Sequence, residues 1–229
     1  MTPFVNVLWP SAAVEAFPQV VGTSGGGTSD LTSNPPVTLP STLAEGNVLL
    51  LTFRSSSDTH SGPDDTGWTE VFNVTITPST TPYRTSAWRK VIGATQANPV
   101  NFLQSGSDRC GYVCHEISGV ATSEASYLEA SVVNDGASLD PPNLSPSWGS
   151  AKTLWLAGLA IAASDNTATN PADYTDQVSG GSAASTAPSR AKVYAARRER
   201  EAASENPGAW AVSGTYYVPT VATFGVRPA

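Results

Sequence analysis

Asn47-Val-Leu-Leu-Leu-Thr-Phe-Arg54 is the stretch that decides the fold class of this chain. Glu45-Gly46 precedes it, and the run is almost continuously apolar over the length of one strand. Such a run predicts a β-strand that is buried on both faces. The segment Thr153–Ala163 is the most apolar of the chain, and its small side chains favour a central strand beneath a closely packed layer.

Shorter segments on either side of these runs are also typical of strands. Alternating residues between Gly67 and Ile76 predict one of them. The connections are rich in Gly, Pro, Asn, Asp and Ser and recur roughly every 10–20 residues, which favours a sandwich or barrel. No repeat with a period of roughly 20–50 residues is evident. Further strands are predicted at Tyr83–Ile92, Cys110–Val120, Tyr127–Val133, Trp210–Val212 and Tyr216–Val226.

The composition limits the possible partners. The 229 residues carry 19 Asp and Glu against 12 Lys and Arg, a formal net charge of −7, so we expect no nucleic-acid partner. The longest apolar run, Leu154–Ala163, is far shorter than the ~20 residues of a membrane helix, so we expect no membrane partner. No Lys or Arg precedes Arg54, so we expect no secretory signal. We expect the protein to act in the cytoplasm that makes it, or to leave inside a virus particle.

One segment is ambiguous. Ala191–Ser204 is rich in Ala, Arg and Glu, and Arg197 and Glu201 are four residues apart, which favours a helix. Alternation of Val193 and Ala195 with polar neighbours also fits a strand. Charges of both signs predict a solvated face with internal ion pairs rather than a nucleic-acid patch.

Three motifs contain residues that could carry chemistry. Gly22-Thr-Ser24-Gly-Gly26 matches G-x-S-x-G, but the residues that follow it cannot form the helix that a nucleophile elbow requires, so we predict a flexible turn. Asp58, His60, Asp64 and Asp65 show no recognised metal-ligand spacing, so we predict a surface loop. A hydrolase would rest on these loop carboxylates alone.

Cys110 and Cys114 form the third motif. On a strand they are roughly 13 Å apart, well beyond the Cα separation of about 7 Å that a disulfide allows, so we predict buried thiols. His115 follows at once but points to the opposite face. The sequence thus predicts no catalytic residue, no cofactor and no metal site, and we expect the protein not to be an enzyme.

Aromatic and apolar residues suggest two interaction sites. Most of the six Trp are expected to fill the core, although an exposed Trp or Tyr could stack on sugar rings. Residues 1–17 hold Phe4, Val5, Leu8 and Trp9 and are too apolar for a free solvated tail. They are either a first edge strand folded back on the domain or an arm that packs on a neighbouring subunit.

Several segments, in this order along the chain, resemble a group of virion structural proteins of tailed phages that have a jelly-roll-like β-sandwich. The resemblance covers residue 18 to the C-terminus and rests on the motifs Leu43–Leu51, Gly67-Trp-Thr, Ala87-Trp-Arg-Lys-Val, Tyr112–Val120, Asp140–Ala157, Pro171-Ala-Asp-Tyr-Thr, Ala196-Arg-Arg-Glu, Glu205-Asn-Pro-Gly and Val221–Pro228.

The resemblance implies one antiparallel β-sandwich over residues 18–229, with a strand rather than a helix at 191–203. It implies a structural, head-decoration or tail protein of the virion, and we favour a head-surface decoration or cement protein bound to the major capsid protein or another virion protein. We expect a homo-oligomer, with a trimer favoured, in the assembled virion. The alternative is a tail or fibre adhesion module that binds host carbohydrate through exposed aromatic residues.

Overall fold

The computed structural model describes residues 15–56, 59–78, 82–134, 136–163, 166–182 and 190–229, with only the backbone of Asp30 and Leu31. This part of the chain contains fifteen strands and no helix. The first eight strands are β1 (Gln19–Thr32), β2 (Pro36–Val37), β3 (Val48–Ser55), β4 (His60–Pro63), β5 (Thr69–Ile76), β6 (Tyr83–Val91), β7 (Val100–Gln104) and β8 (Asp108–Ser118). The others are β9 (Leu128–Val133), β10 (Ala151–Ala163), β11 (Ala168–Thr169), β12 (Thr175–Gly181), β13 (Ala191–Ala202), β14 (Ala211–Val212) and β15 (Tyr216–Val226).

The predicted all-β sandwich is confirmed. Ten long strands form two five-stranded sheets, and every pairing within them is antiparallel. The segment 191–203 is a strand, as the resemblance implied, and Ala191–Ala202 pairs along its length with β10.

The two halves of the chain share one topology. The N-terminal sheet has the order β1-β8-β3-β6-β5, and the C-terminal sheet, read from its other edge, has the order β9-β15-β10-β13-β12. When the five long strands of each half are numbered along the chain, both sheets have the order first, fifth, second, fourth and third. A short strand pair follows the same rule, since β4 pairs with β7 in the first half and β11 with β14 in the second. The sandwich therefore consists of two structural repeats, and each repeat comprises about half of the chain.

Four layers explain the two apolar runs. Leu49, Leu51 and Phe53 of β3 pack under the small sheet β2-β7-β4, whereas Val48 and Leu50 point into the space between the two large sheets. In β10, odd-numbered residues from Trp155 to Ala163 pack with residues of β11 and with Trp210 just before β14, while Leu154 and Leu156 point between the sheets. Both central strands are buried on both faces, as the sequence predicted.

One buried cation joins the two large sheets. The Arg54 side chain on β3 is fully buried and donates to Thr85 Oγ1 at 2.9 Å and to the carbonyl of Val218 on β15 at 2.7 Å. Val218 has φ +47°, an unusual backbone for a β-branched residue, and it lies in a register shift of β15. Burial lowers the pKa of Arg54 to about 9, so the guanidinium remains charged at neutral pH.

Glycines bring the sheets together at the β1/β12 edge. A Cβ on Gly27 would lie 2.6 Å from the backbone carbon of Gly181, and a Cβ on Gly111 would lie 2.6 Å from the carbonyl oxygen of Ala191. The backbones of the two sheets thus touch where sandwiches are ordinarily spaced by about 10 Å of side chains. The prediction of a flexible turn at Gly22–Gly26 is wrong, because these residues are part of β1, and within them Gly25 lies against the backbone of Ser179 on β12.

We expect Gly111→Ala to lower the free energy of unfolding by about 1–3 kcal/mol, because the added methyl group meets backbone that cannot move aside. Chemical denaturation measures this loss. Gly93→Ala is the matched control, since a Cβ there meets nothing within 4 Å, and it should change stability by no more than about 0.5 kcal/mol. Equal stability of the two variants would contradict the close approach.

Candidate functional site

His60 lies in the core rather than in the surface loop predicted for it. Its Nε2 is 2.8 Å from Ser55 Oγ and its Nδ1 is 2.8 Å from Ser86 Oγ. The ring also meets Phe53 and Phe102 edge-on, with centroids 5.2 and 5.1 Å away. Burial lowers the pKa of His60 well below its ordinary value. Because both hydroxyls and the ring are buried, this serine–histidine contact is a structural element.

The carboxylates of the predicted cluster bind to different partners. Asp64 accepts hydrogen bonds from the backbone and the side-chain amide of Asn101, both at 2.9 Å. Asp65 forms an ion pair with Lys90. Asp58 lies outside the described residues. The described members of the cluster therefore do not converge on one point.

Cys110 and Cys114 are buried free thiols, which confirms the prediction. Burial raises the pKa of Cys110 to about 12 and that of Cys114 further. Nucleophilic chemistry and metal binding need the thiolate, which these groups do not form near neutral pH. Both side chains pack under the small sheet, on the face of β8 opposite to His115.

The arginines of the mixed-charge strand β13 form several ion pairs, mostly with acidic residues outside this strand. Arg197 Nη2 lies 2.6 Å from Asp176 Oδ2 on β12. Arg198 and Arg200 bind the two carboxylate oxygens of Glu205, at 3.1 and 3.0 Å. The Glu205 side chain is fully buried between the two guanidinium groups. The expected ion pairing within the segment is limited to Arg197 and Glu199, 3.7 Å apart, and the closer partners come from outside it.

We expect Glu205→Gln to cost about 3–5 kcal/mol of folding free energy, because it removes the charge that two arginines share at a buried position. Denaturant unfolding of the variant measures the loss. Glu201→Gln, at an exposed position of the same strand, should stay within about 0.5 kcal/mol of the parent. A similar loss in both variants would mean that the buried carboxylate has no special role.

The candidate site is a cleft of about 470 Å³ between the edge strands β1 and β12. Both strands are bulged there, with register shifts between Val20 and Gly22 on β1 and between Thr175 and Val178 on β12. Bulges at strand edges often re-aim side chains beside binding sites. The cleft is lined by Val20, Val21, Gly22, Thr23, His115, Asp176, Gln177, Val178 and Arg197.

His115 and Arg197 supply the buried polar groups of this cleft. Neither ring nitrogen of His115 has a hydrogen-bond partner among the described residues, although the side chain is buried. Arg197 donates from Nε to Asp176 Oδ2 at 2.7 Å, but its buried Nη1 has no hydrogen-bond partner in the same part of the chain. Asp176 has φ +51°, a strained backbone that turns its carboxylate toward Arg197.

Electrostatics leave no unpaired positive charge in the site. Burial, and secondarily the charge of Arg197, lowers the pKa of His115 to about 4. The imidazole is therefore neutral at pH 7, with one nitrogen as donor and the other as acceptor. Arg197 has two carboxylate partners, Asp176 at 2.6 Å and Glu199 at 3.7 Å.

Stability in acid should depend on His115. The pKa of this histidine is about 6.5 in the unfolded chain and about 4 in the folded protein. The unfolded state therefore binds more protons in this window, and stability falls as pH drops through it, by about 3 kcal/mol in full. His115→Gln does not titrate here and should show a shallower decline between pH 6.5 and 4 in denaturant titrations. Parallel curves for the two proteins would refute the shifted pKa.

Aromatic side chains offer few exposed platforms in the described part. Tyr217 is exposed at 46 %. No tryptophan of the described residues is exposed, and Trp9 lies outside them. Trp88, Trp155 and Trp210 are buried, and Trp68 and Trp148 are half-buried.

The predicted interface residues Phe4, Val5, Leu8 and Trp9 also lie outside the described residues. The described chain begins at Glu15, whose carbonyl accepts a hydrogen bond from Lys152 Nζ at 2.8 Å. The same Lys152 Nζ lies 6.0 Å from the centroid of the Phe17 ring. The entry to β1 is thus anchored on the start of β10.

Comparisons of the chain with models of known protein families, with curated proteins and with solved structures found no match. The described residues also include no helix of the length and apolar character needed to cross a membrane. The cleft itself was missed at the sequence level. In the sequence His115 stands beside the cysteines and Arg197 within a charged run, and no local pattern shows that both line a cleft at the bulges of two distant strands.

Proposed function

We propose that the protein is a structural subunit of a tailed-phage particle, bound at the head surface as a decoration or cement protein. It would act through contacts with the major capsid protein or another virion protein, as a homo-oligomer. Such a protein stabilises the shell by mass action, because the area that it buries across subunit junctions exists only in the assembled particle.

The observation that carries this proposal is where the resemblance motifs lie in the fold. The motif Leu43–Leu51 contains the start of the doubly buried strand β3, and Trp155 of the motif Asp140–Ala157 fills the core as part of the other central strand, β10. Glu205 of the Glu-Asn-Pro-Gly motif is the buried partner of two arginines. The segments that carry the resemblance therefore build the scaffold, which supports a role based on a stable shape rather than on catalysis.

The edges of the sandwich also support this role. β1 contacts β12 along one side, and β5 contacts β9 along the other, so neighbouring edges cover each other. Covered edges limit uncontrolled strand pairing, which a protein present in many copies on one surface must avoid. The net charge of −7 fits an outward-facing position, whereas a surface that faces packaged DNA would be basic.

Deleting residues 1–14 should abolish incorporation into particles if the apolar arm packs on a neighbouring subunit. The deletion spares Glu15, which anchors the entry to β1, so the described fold should persist. Particles assembled with the truncated protein are purified and their protein content is quantified, with circular dichroism as the folding control. A second variant replaces Phe4, Val5, Leu8 and Trp9 by Ser at full length.

If both variants fold but are absent from the particles, the arm is the element that attaches the protein to its neighbour. Normal incorporation of both would overturn it. Electron microscopy of labelled protein on the intact particle tests the head position separately, and a label found only on the tail would favour the adhesion module instead.

A further inference from the structure

Three buried polar atoms that form no hydrogen bond among the described residues belong to side chains that line the cleft between β1 and β12. They are Nδ1 and Nε2 of His115 and Nη1 of Arg197, and Arg197 Nη1 lies 3.7 Å from Glu199 Oε1, beyond hydrogen-bond distance. A buried polar atom left unpaired costs about 1–3 kcal/mol, so folded proteins rarely keep several together. Their grouping on one cleft indicates that something from outside completes them.

The hydrogen-bond pattern of these atoms defines the missing partner. A neutral imidazole needs an acceptor at one nitrogen and a donor at the other, while the guanidinium Nη1 needs an acceptor. A carboxylate ligand can only accept, so it would leave one imidazole nitrogen unpaired, and it would compete with Asp176 for Arg197. Hydroxyl groups both donate and accept, and two adjacent hydroxyls satisfy all three atoms.

Shape and charge favour the same ligand. The cleft volume of about 470 Å³ lies within the range of small-molecule sites. Arg197 already has two carboxylate partners, Asp176 and Glu199, so the cleft holds no unpaired positive charge to attract an anion. Val20, Val21 and Val178 form apolar walls. Val21 is 49 % exposed and so presents an apolar side chain at the mouth of the cleft. A sugar ring combines such an apolar surface with paired hydroxyls.

We propose that this cleft binds a neutral pyranose unit of a saccharide, with vicinal hydroxyls hydrogen-bonded to His115 and Arg197 and the ring packed against the valine walls. The site is independent of the arm and of the position of the protein on a particle. It also differs from aromatic stacking, because its specificity comes from a buried imidazole and guanidinium.

The two histidines of the chain make the test internal to the wild-type protein. Imidazole ¹⁵N resonances are recorded while glucose, galactose or mannose is titrated to high millimolar concentration. We expect the His115 signals to shift and saturate, whereas those of His60, whose nitrogens are held by Ser55 and Ser86, should stay in place. No shift with any sugar, or equal shifts at both histidines, would overturn the proposal.

Glycerol and sorbitol distinguish a sugar ring from hydroxyl groups in general. Saturation by a hexose at concentrations where both linear polyols leave His115 unchanged supports a pyranose site. Equal responses to all of them would overturn it in favour of nonspecific hydroxyl exchange with bound water.

Two variants locate the binding energy. Arg197→Gln and His115→Leu should each weaken the hexose by about tenfold, because each leaves ligand hydroxyls unpaired. Glu201→Gln on the same strand is the control and should bind like the parent. Since His115 is buried, its variant is first checked for a cooperative unfolding transition. If the His115 variant does not fold, the Arg197 variant alone is used for the binding test. Unchanged affinity in Arg197→Gln would overturn the assignment.

Discussion

The direct contact between the backbones of β1 and β12 is the constraint on which the rest of the structure depends. Glycines at positions such as 27, 111 and 181 let the two sheets touch at one edge, where any side chain would separate them. At the opposite edge large side chains fill the gap, as the stacked pair Phe72 and Phe224 shows. The sandwich therefore narrows toward β1 and β12, and a bulge on each of these strands suffices to open a cleft beside the contact.

The internal repeat explains how a chain with few charged residues reaches such complete burial. Each half covers the outer face of its own large sheet with a short strand pair, so that both β3 and β10 are buried on both sides. Antiparallel sheets ordinarily leave one face in water. Three polar groups that enter the interior find partners there: Arg54 with Val218, His60 with Ser86, and Glu205 with Arg198.

Most of the fold was predictable because burial on both faces leaves a strong apolar pattern. The bounds of β15 match the prediction, and those of β3, β6 and β10 differ from it by one or two residues. β1 was missed because its Gly, Ser and Thr residues are typical of a turn, and their role appears only when a second backbone lies against them. The helix-like composition of β13 was overridden by its pairing with β10 and β12. His60 was placed in a loop because four residues between turn signals give no sign of the aromatic rings that enclose it.

By itself, the sequence determined the fold class, the two central strands, the buried thiols and the ion-paired character of β13, because these depend on the polarity and spacing of neighbouring residues. It also supplied the resemblance on which the proposed virion role rests. Tertiary structure decided the repeat of the two halves, the glycine contact between them and the cleft of His115 and Arg197. These features join residues that are tens of positions apart, so they depend on strand order, register and bulges, which no local pattern of side chains encodes.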